Sequence, residues 1–187
     1  MSSNRDKVLD TAQRLLRERG YHGTGIQEIL AESKVSRSNL YYHFRSKREL
    51  AEAVVARWRE GLKQLFEETV AGETSYRRQV ERFVQVFIDI QQEDTFAVCP
   101  FGRMAMELGD SEPALRRLVN QVFDEFRDAL TDRIARGVEA GEFRPDTDPR
   151  RLANALLVAI EGGIVLSRAQ GHAEAMVSTC RLILDCA

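Results

Sequence analysis

Residues 24–50 read TGIQEILAESKVSRSNLYYHFRSKREL and gather side chains suited to reading a polyanion. Arg37 stands near the start of a short helical run, where a guanidinium can donate two parallel hydrogen bonds to guanine O6 and N7. Ser38 and Asn39 are short polar groups on the same first turn. Tyr41 and Tyr42 each join a flat apolar body to a hydroxyl, so one of the two is expected to face a groove while the other packs. Thr24 and Ser36 bring hydroxyls to helix N-termini, whose free amides attract phosphate. His43 and Lys47 lie where the chain leaves the groove and are expected to touch phosphates. Bond-making chemistry has no comparable support. The histidines, His22, His43 and His172, are scattered and none has metal-ligand spacing. No glycine-rich phosphate loop follows a strand, and no nucleophile–base pair is legible. No catalytic residue, metal ligand or cofactor is therefore expected.

The elements that must hold these groups are helical throughout. Val8, Leu9, Ala12, Leu15 and Leu16 recur at helical spacing and stop before Gly20. Thr24 reads as the N-cap of a short second helix, with Gln27 closing a capping box and Ile26, Ile29 and Leu30 turned inward. Glu32-Ser33-Lys34-Val35 is a polar turn. Ser36 caps a third helix running to about Phe44, with Leu40 and Phe44 as its inward face. Two short helices joined by a tight turn make a helix-turn-helix, whose second helix enters the major groove. Ser46 and Glu49 open a long fourth helix that Gly72 ends. Further helices follow: a fifth around Phe83 and Phe87, a sixth from Pro100, a seventh from Ser111-Glu112-Pro113 to Gly141. An eighth is capped by Asp148 with Pro149 at its first position, and a ninth spans about 173–185. No strand pattern, internal repeat or low-complexity linker is visible.

Charge is unevenly placed. Residues 1–50 hold ten Lys/Arg against six Asp/Glu, and the remainder holds 17 against 23. A basic head on an acidic body suits a polyanionic partner at the head only. Charged residues make up 30% of the chain and no run of 18 apolar residues occurs, which argues against a membrane-spanning segment. The first residues lack the apolar core of a signal peptide, and the three cysteines are sparse. Both features fit a reducing cytoplasm.

Gly20-Tyr21, Thr24, Ile29, Val35-Ser36, Leu40-Tyr41-Tyr42-His43-Phe44 and Ser46-Lys47-Arg48-Glu49-Leu50 together resemble the signature of the TetR family of repressors. The resemblance covers roughly the first quarter of the chain. Ser33-Lys34 stands where Ala-Gly is common and Ser38 where Gly is frequent, which affects the turn and the base preference but not the assignment. The resemblance implies a homodimer bound to a double-stranded DNA operator, and a C-terminal domain that encloses a small-molecule effector. It also implies dimerisation through the last two helices. Leu152, Leu156, Ile160 and Gly163 on the eighth, with Met176, Cys180 and Ile183 on the ninth, are the expected interface. The eighth helix is apolar on more than one face; one face belongs to the core and the other suits a partner. For the effector pocket the candidates are Phe83, Phe87, Met104, Phe123 and Phe126, with Arg103 and Glu107 as polar contacts. Such aromatic and Met stripes equally describe a core. Cys99, just before the sixth helix, would be favoured as thiolate by that helix's N-terminus, as in relatives that respond to electrophiles. The other reading is a buried, inert thiol.

These readings give an all-α chain of about nine helices. A helix-turn-helix head over 1–46 is followed by an effector-binding and dimerisation domain over 47–187. The function expected is a ligand-responsive transcription regulator, a repressor by family default. The alternatives are a thiol-responsive regulator using Cys99, or a helical sensor whose head no longer binds DNA.

Overall fold

A computed structural model describes residues 3–93 and 97–187. Among these residues there are nine helices and no strand: α1 (Asn4–Arg19), α2 (Ile26–Ser33), α3 (Arg37–His43), α4 (Lys47–Val70), α5 (Tyr76–Glu93), α6 (Pro100–Leu108), α7 (Pro113–Glu139), α8 (Pro149–Gln170) and α9 (Glu174–Asp185). The all-α class read from periodicity is the class the chain adopts.

Local signals explain most boundaries. Ser3 Oγ accepts the Asp6 amide at 3.1 Å while the Asp6 carboxylate accepts the Ser3 amide at 3.2 Å, so a full capping box opens α1. Gly20 ends it with φ 77°. Asp148 Oδ1 accepts from Arg150 and Arg151 at the start of α8, with Pro149 at the first helical position as expected. One cap differs from the sequence reading. Gly25, not Thr24, is the N-cap of α2; it has no side chain to complete a capping box, and Glu28 rather than Gln27 accepts the Gly25 N–H at 2.9 Å. Thr24 is 1% exposed and its hydroxyl donates to Gly20 O at 2.7 Å. Thr and Gly adjoin here, and the buried hydroxyl needed a partner that the end of α1 supplies.

The chain forms two compact units, one made of Met1–Gly61 and Pro100–Val122, the other of Leu62–Cys99 and Phe123–Ala187. The expected boundary at 46/47 is not where the units divide. α4 is one 24-residue helix starting at Lys47. Its first half buries Leu50, Ala51, Val54 and Val55, so it belongs to the first unit's core. α6 also belongs to that unit, with Trp58 and Phe101 meeting edge to face at 6.0 Å.

In the first unit, Val8, Ala12, Leu15 and Leu16 of α1 are buried together with Ile29 of α2 and Leu40 of α3. In the second, Val80, Phe83 and Ile88 of α5 share a core with Leu130 and Ile134 of α7, Leu156 and Ile160 of α8, and Met176 and Cys180 of α9. Each such large apolar side chain contributes about 1.5–3 kcal/mol of burial. α8 and α9 lie close because Gly163 has no side chain. A Cβ there would come within 2.5 Å of Met176 Cγ. By length and composition alone α8 could cross a membrane. Its pattern is that of a core helix, with Leu152, Leu156, Ile160 and Ile164 buried and Arg150, Arg151 and Asn154 exposed.

Candidate nucleic-acid interface

α3 divides cleanly into two faces. Leu40 is fully buried and Phe44, at its C-cap, is 2% exposed, so this edge holds the helix on the unit. Arg37, Ser38, Tyr41 and Tyr42 are exposed on the opposite face. Tyr42 is 83% exposed and Tyr41 42%, so both phenols face outward rather than one packing inward as expected. Ser36 Oγ accepts the Asn39 amide at 3.3 Å and lies 3.2 Å from Ser38 Oγ. Asn39 is half-buried and its Oδ1 is shielded from solvent, which takes it off the reading face. His43 is also half-buried and meets the Tyr42 ring edge-on at 5.0 Å. Thr24, with its hydroxyl spent on Gly20 O, has nothing to offer a phosphate.

The turn before α3 is tight because Lys34 takes the left-handed conformation, φ 56° and ψ 29°. Glycine is favoured there because a Cβ crowds the following carbonyl. Lys34 meets that cost while keeping an exposed cation beside α3.

A second group of polar residues fixes the corner between α1 and α2. The Tyr21 hydroxyl donates to Glu112 Oε1 at 2.8 Å, and burial together with that bond pushes the phenol up. Lys47 Nζ stands 4.4 Å from the centre of the Tyr21 ring. Burial pulls the Lys47 ammonium down, opposed by Glu107, Glu112 and Glu28. Arg103 Nε donates to Glu107 Oε1 at 3.0 Å, and Arg103 Nη1 donates to Glu18 O at 3.0 Å, placing a cation on the carbonyl end of α1. Glu107 Oε2 accepts the His22 amide at 3.3 Å, and His22 Nε2 lies 3.1 Å from Glu107 O. Arg103 and Glu107 were expected in an effector pocket. They are instead committed to this corner, whose orphan helix-end groups need partners. Nothing in the local sequence ties residue 107 to residue 22; only the fold does.

Phe83 is fully buried and meets Phe66, Phe87 and Phe126 at 4.8, 5.2 and 5.1 Å between ring centres. These rings fill one another's edges and faces, the behaviour of a core. Phe123 is half-buried in the same unit, whereas Met104 is fully buried in the other. Cys99 is half-buried, and its thiol hydrogen-bonds Glu161, whose carboxyl burial pushes up. The stripe expected to meet a partner chain is the inward one. Leu152, Leu156, Ile160, Gly163, Met176 and Cys180 are all buried against their own chain, and only Ile183 is partly open. The outward apolar residues of α8 and α9 are Val158, Val165, Leu166 and Leu182, 72, 57, 45 and 64% exposed. Two apolar faces were legible on the eighth helix, but periodicity cannot tell which one a chain keeps for itself.

Comparison with known proteins places both parts of the chain in one family. Residues 8–54 match the family described as bacterial regulatory proteins, tetR family, and residues 76–183 match the tetracyclin repressor-like C-terminal domain. The chain is 28% identical over 166 residues to the HTH-type transcriptional regulator LmrA of Bacillus subtilis, covering 88% of this chain and 86% of that protein. It is 25% identical over 170 residues to the HTH-type transcriptional repressor DhaR of Mycobacterium sp. strain GP1, covering 91% and 85%. A crystal structure of a TetR transcriptional regulator from Chloroflexus aurantiacus superposes with a TM-score of 0.88 at 29% identity, covering 97% of this chain and 92% of that one.

Proposed function

The chain belongs to the tetR family of bacterial regulatory proteins and is a DNA-binding transcriptional regulator; we propose that it acts as a dimeric cytoplasmic repressor released from a palindromic operator by a small-molecule effector. The observation that carries this reading is the division of α3, with Leu40 and Phe44 inside and Arg37, Ser38, Tyr41 and Tyr42 outside. The buried edge fixes the helix; the exposed edge offers a guanidinium and two phenols to base edges and phosphates. Lys34 and Lys47 flank it as phosphate contacts. One such helix reads few base pairs. Two related by a twofold axis read half-sites one DNA turn apart, roughly 34–36 Å, or a multiple of it.

Val158, Val165, Leu166 and Leu182 are the surface proposed for the second copy, since four large apolar groups on adjacent helices gain by leaving water together. Repression rather than activation follows DhaR, a transcriptional repressor. An effector acts only through its different affinity for the DNA-competent and incompetent conformations.

The test is fluorescence anisotropy with labelled DNA from upstream of the chain's own gene, against random DNA, at two salt concentrations. Tighter binding to the upstream fragment is expected. Arg37→Ala should cost about 1–3 kcal/mol and relax specificity, whereas Lys47→Ala should weaken binding uniformly and flatten the salt slope by about one unit. Equal, weak binding of both fragments, with no change in Arg37→Ala, overturns the reading.

A further inference from the structure

The fold of the first unit brings to α3 a cation that lies outside residues 24–50. Arg5, in the first turn of α1, holds its Cζ 5.4 Å from the centre of the Phe44 ring. Phe44 is the C-cap of α3 and is 2% exposed. The guanidinium therefore stands at the end of α3 that carries His43, whose ring centre lies 6.4 Å from that of Phe44. A planar guanidinium resting on a ring keeps the N–H groups of its rim free to donate.

Arg5 is exposed and has no ion-pair partner among the described residues. Other arginines of this unit are paired: Arg14 with Glu18 and Glu32, Arg19 with Glu28, Arg48 with Glu52, and Arg57 with Asp10. The neighbouring carboxylate, Asp6, is already committed. It accepts the Ser3 hydroxyl at 2.7 Å and the Ser3 amide at 3.2 Å. That capping box also fixes the first turn of α1, and with it the backbone that carries Arg5. Arg45, which follows Phe44, is likewise exposed and without an ion-pair partner among the described residues. Two uncompensated cations thus belong to the two chain segments that meet at Phe44, and a polyanion supplies the missing charge.

We propose that Arg5 is a further DNA-contacting residue, binding a backbone phosphate beside the groove that α3 enters. The proposal rests on the reading of DNA by α3 and extends the contact surface from the helix-turn-helix to α1. Lys34 precedes α3 and Arg5 stands at its end, so cations bracket the helix. A helix of seven residues is about 10 Å long, so in a groove about 12 Å wide both of its ends come near a phosphate backbone. As a phosphate contact, Arg5 contributes affinity and no choice of sequence.

The test is the salt dependence of fluorescence anisotropy for the full chain on the labelled upstream fragment and on a random duplex of the same length. Arg5→Gln should weaken both about tenfold and flatten the slope of log K against log salt by about one unit per reading head. The ratio of the two affinities should not change. Arg5→Lys should restore the slope. Arg17→Gln removes an exposed cation without an ion-pair partner among the described residues, at the other end of the same helix, and should leave the slope as it is. Only folded protein contributes to the slope, so a loss of stability does not imitate the effect. An unchanged slope in Arg5→Gln overturns the proposal, as does an equal loss in Arg17→Gln or a failure of Arg5→Lys to restore it. A loss confined to the upstream fragment also overturns it, because that is base reading. An effect of Arg37→Ala with none of Arg5→Gln refutes the role of Arg5 alone, whereas no effect of either refutes the reading by α3 as well.

Discussion

Gly20→Ala is the substitution whose cost follows most directly from the structure. Gly20 has φ 77° and ψ −178°, a conformation that side-chain-bearing residues hold only at about 1–3 kcal/mol. A Cβ at this position would lie 1.8 Å from Glu107 Oε1 and 2.3 Å from Glu107 Cδ. Glu107 must then withdraw from the His22 amide and from Arg103 Nε, two half-exposed contacts worth about 0.5–1.5 kcal/mol each. The sum centres on about 4 kcal/mol, which for a chain of this length lowers Tm by roughly 8–16 °C. Thermal and urea melts measure it. The same substitution in a Glu107→Ala background removes the collision and leaves only the backbone part. A double-mutant cycle should therefore show coupling of about 1 kcal/mol or more. Operator affinity should fall with Gly20→Ala, because the α1–α2 corner carries the helix that precedes α3. A cost below about 0.5 kcal/mol, or the same cost in both backgrounds, would refute the packing of Glu107 on Gly20.

Lys34→Gly removes the left-handed strain of about 1–2 kcal/mol and adds back about 0.5–1 kcal/mol of chain entropy, so a small rise in Tm is expected. The same variant should lose about one unit of salt slope in operator binding, and an unchanged slope would remove Lys34 from the phosphate contacts. Burial raises the Glu161 carboxyl in the folded chain, so the folded state holds the proton more firmly than the unfolded one. Stability from this group is thus present at low pH and lost as pH rises above the ordinary carboxylate range. Glu161→Gln should raise the urea midpoint at pH 8 more than at pH 5, and an equal change at both would contradict that sign. Leu182→Glu puts a charge on the outward face of α9, where the side chain is 64% exposed. Sedimentation should then give the 21.3 kDa chain rather than its double, and a persistent dimer would move the interface elsewhere.

Helix positions and the reading helix were legible because their signals are local. The α1 stripe of Val8, Ala12 and Leu15, the Ser36 cap and the Asp148-Pro149 start act over a few residues and survive without knowledge of what lies opposite. The outward placement of Arg37 and Ser38 follows from the same periodicity once Leu40 and Phe44 are inside. Thr24 marks where local reasoning stops. Threonine and glycine both cap helices, and the choice between them rested on Gly20 O being within reach of a buried hydroxyl. Arg103 and Glu107 show the same limit at longer range, since their partners are more than eighty residues away and are brought to them only by the packing of α6 beside α1. α8 shows it most plainly. Its sequence specifies two apolar faces, and hydrophobic burial is non-directional, so either could have closed on α5 and α9. Gly163 lies on the face that closed: a Cβ there would come within 2.5 Å of Met176 Cγ, and Leu156 and Ile160 are buried while Val158 and Val165 stay exposed.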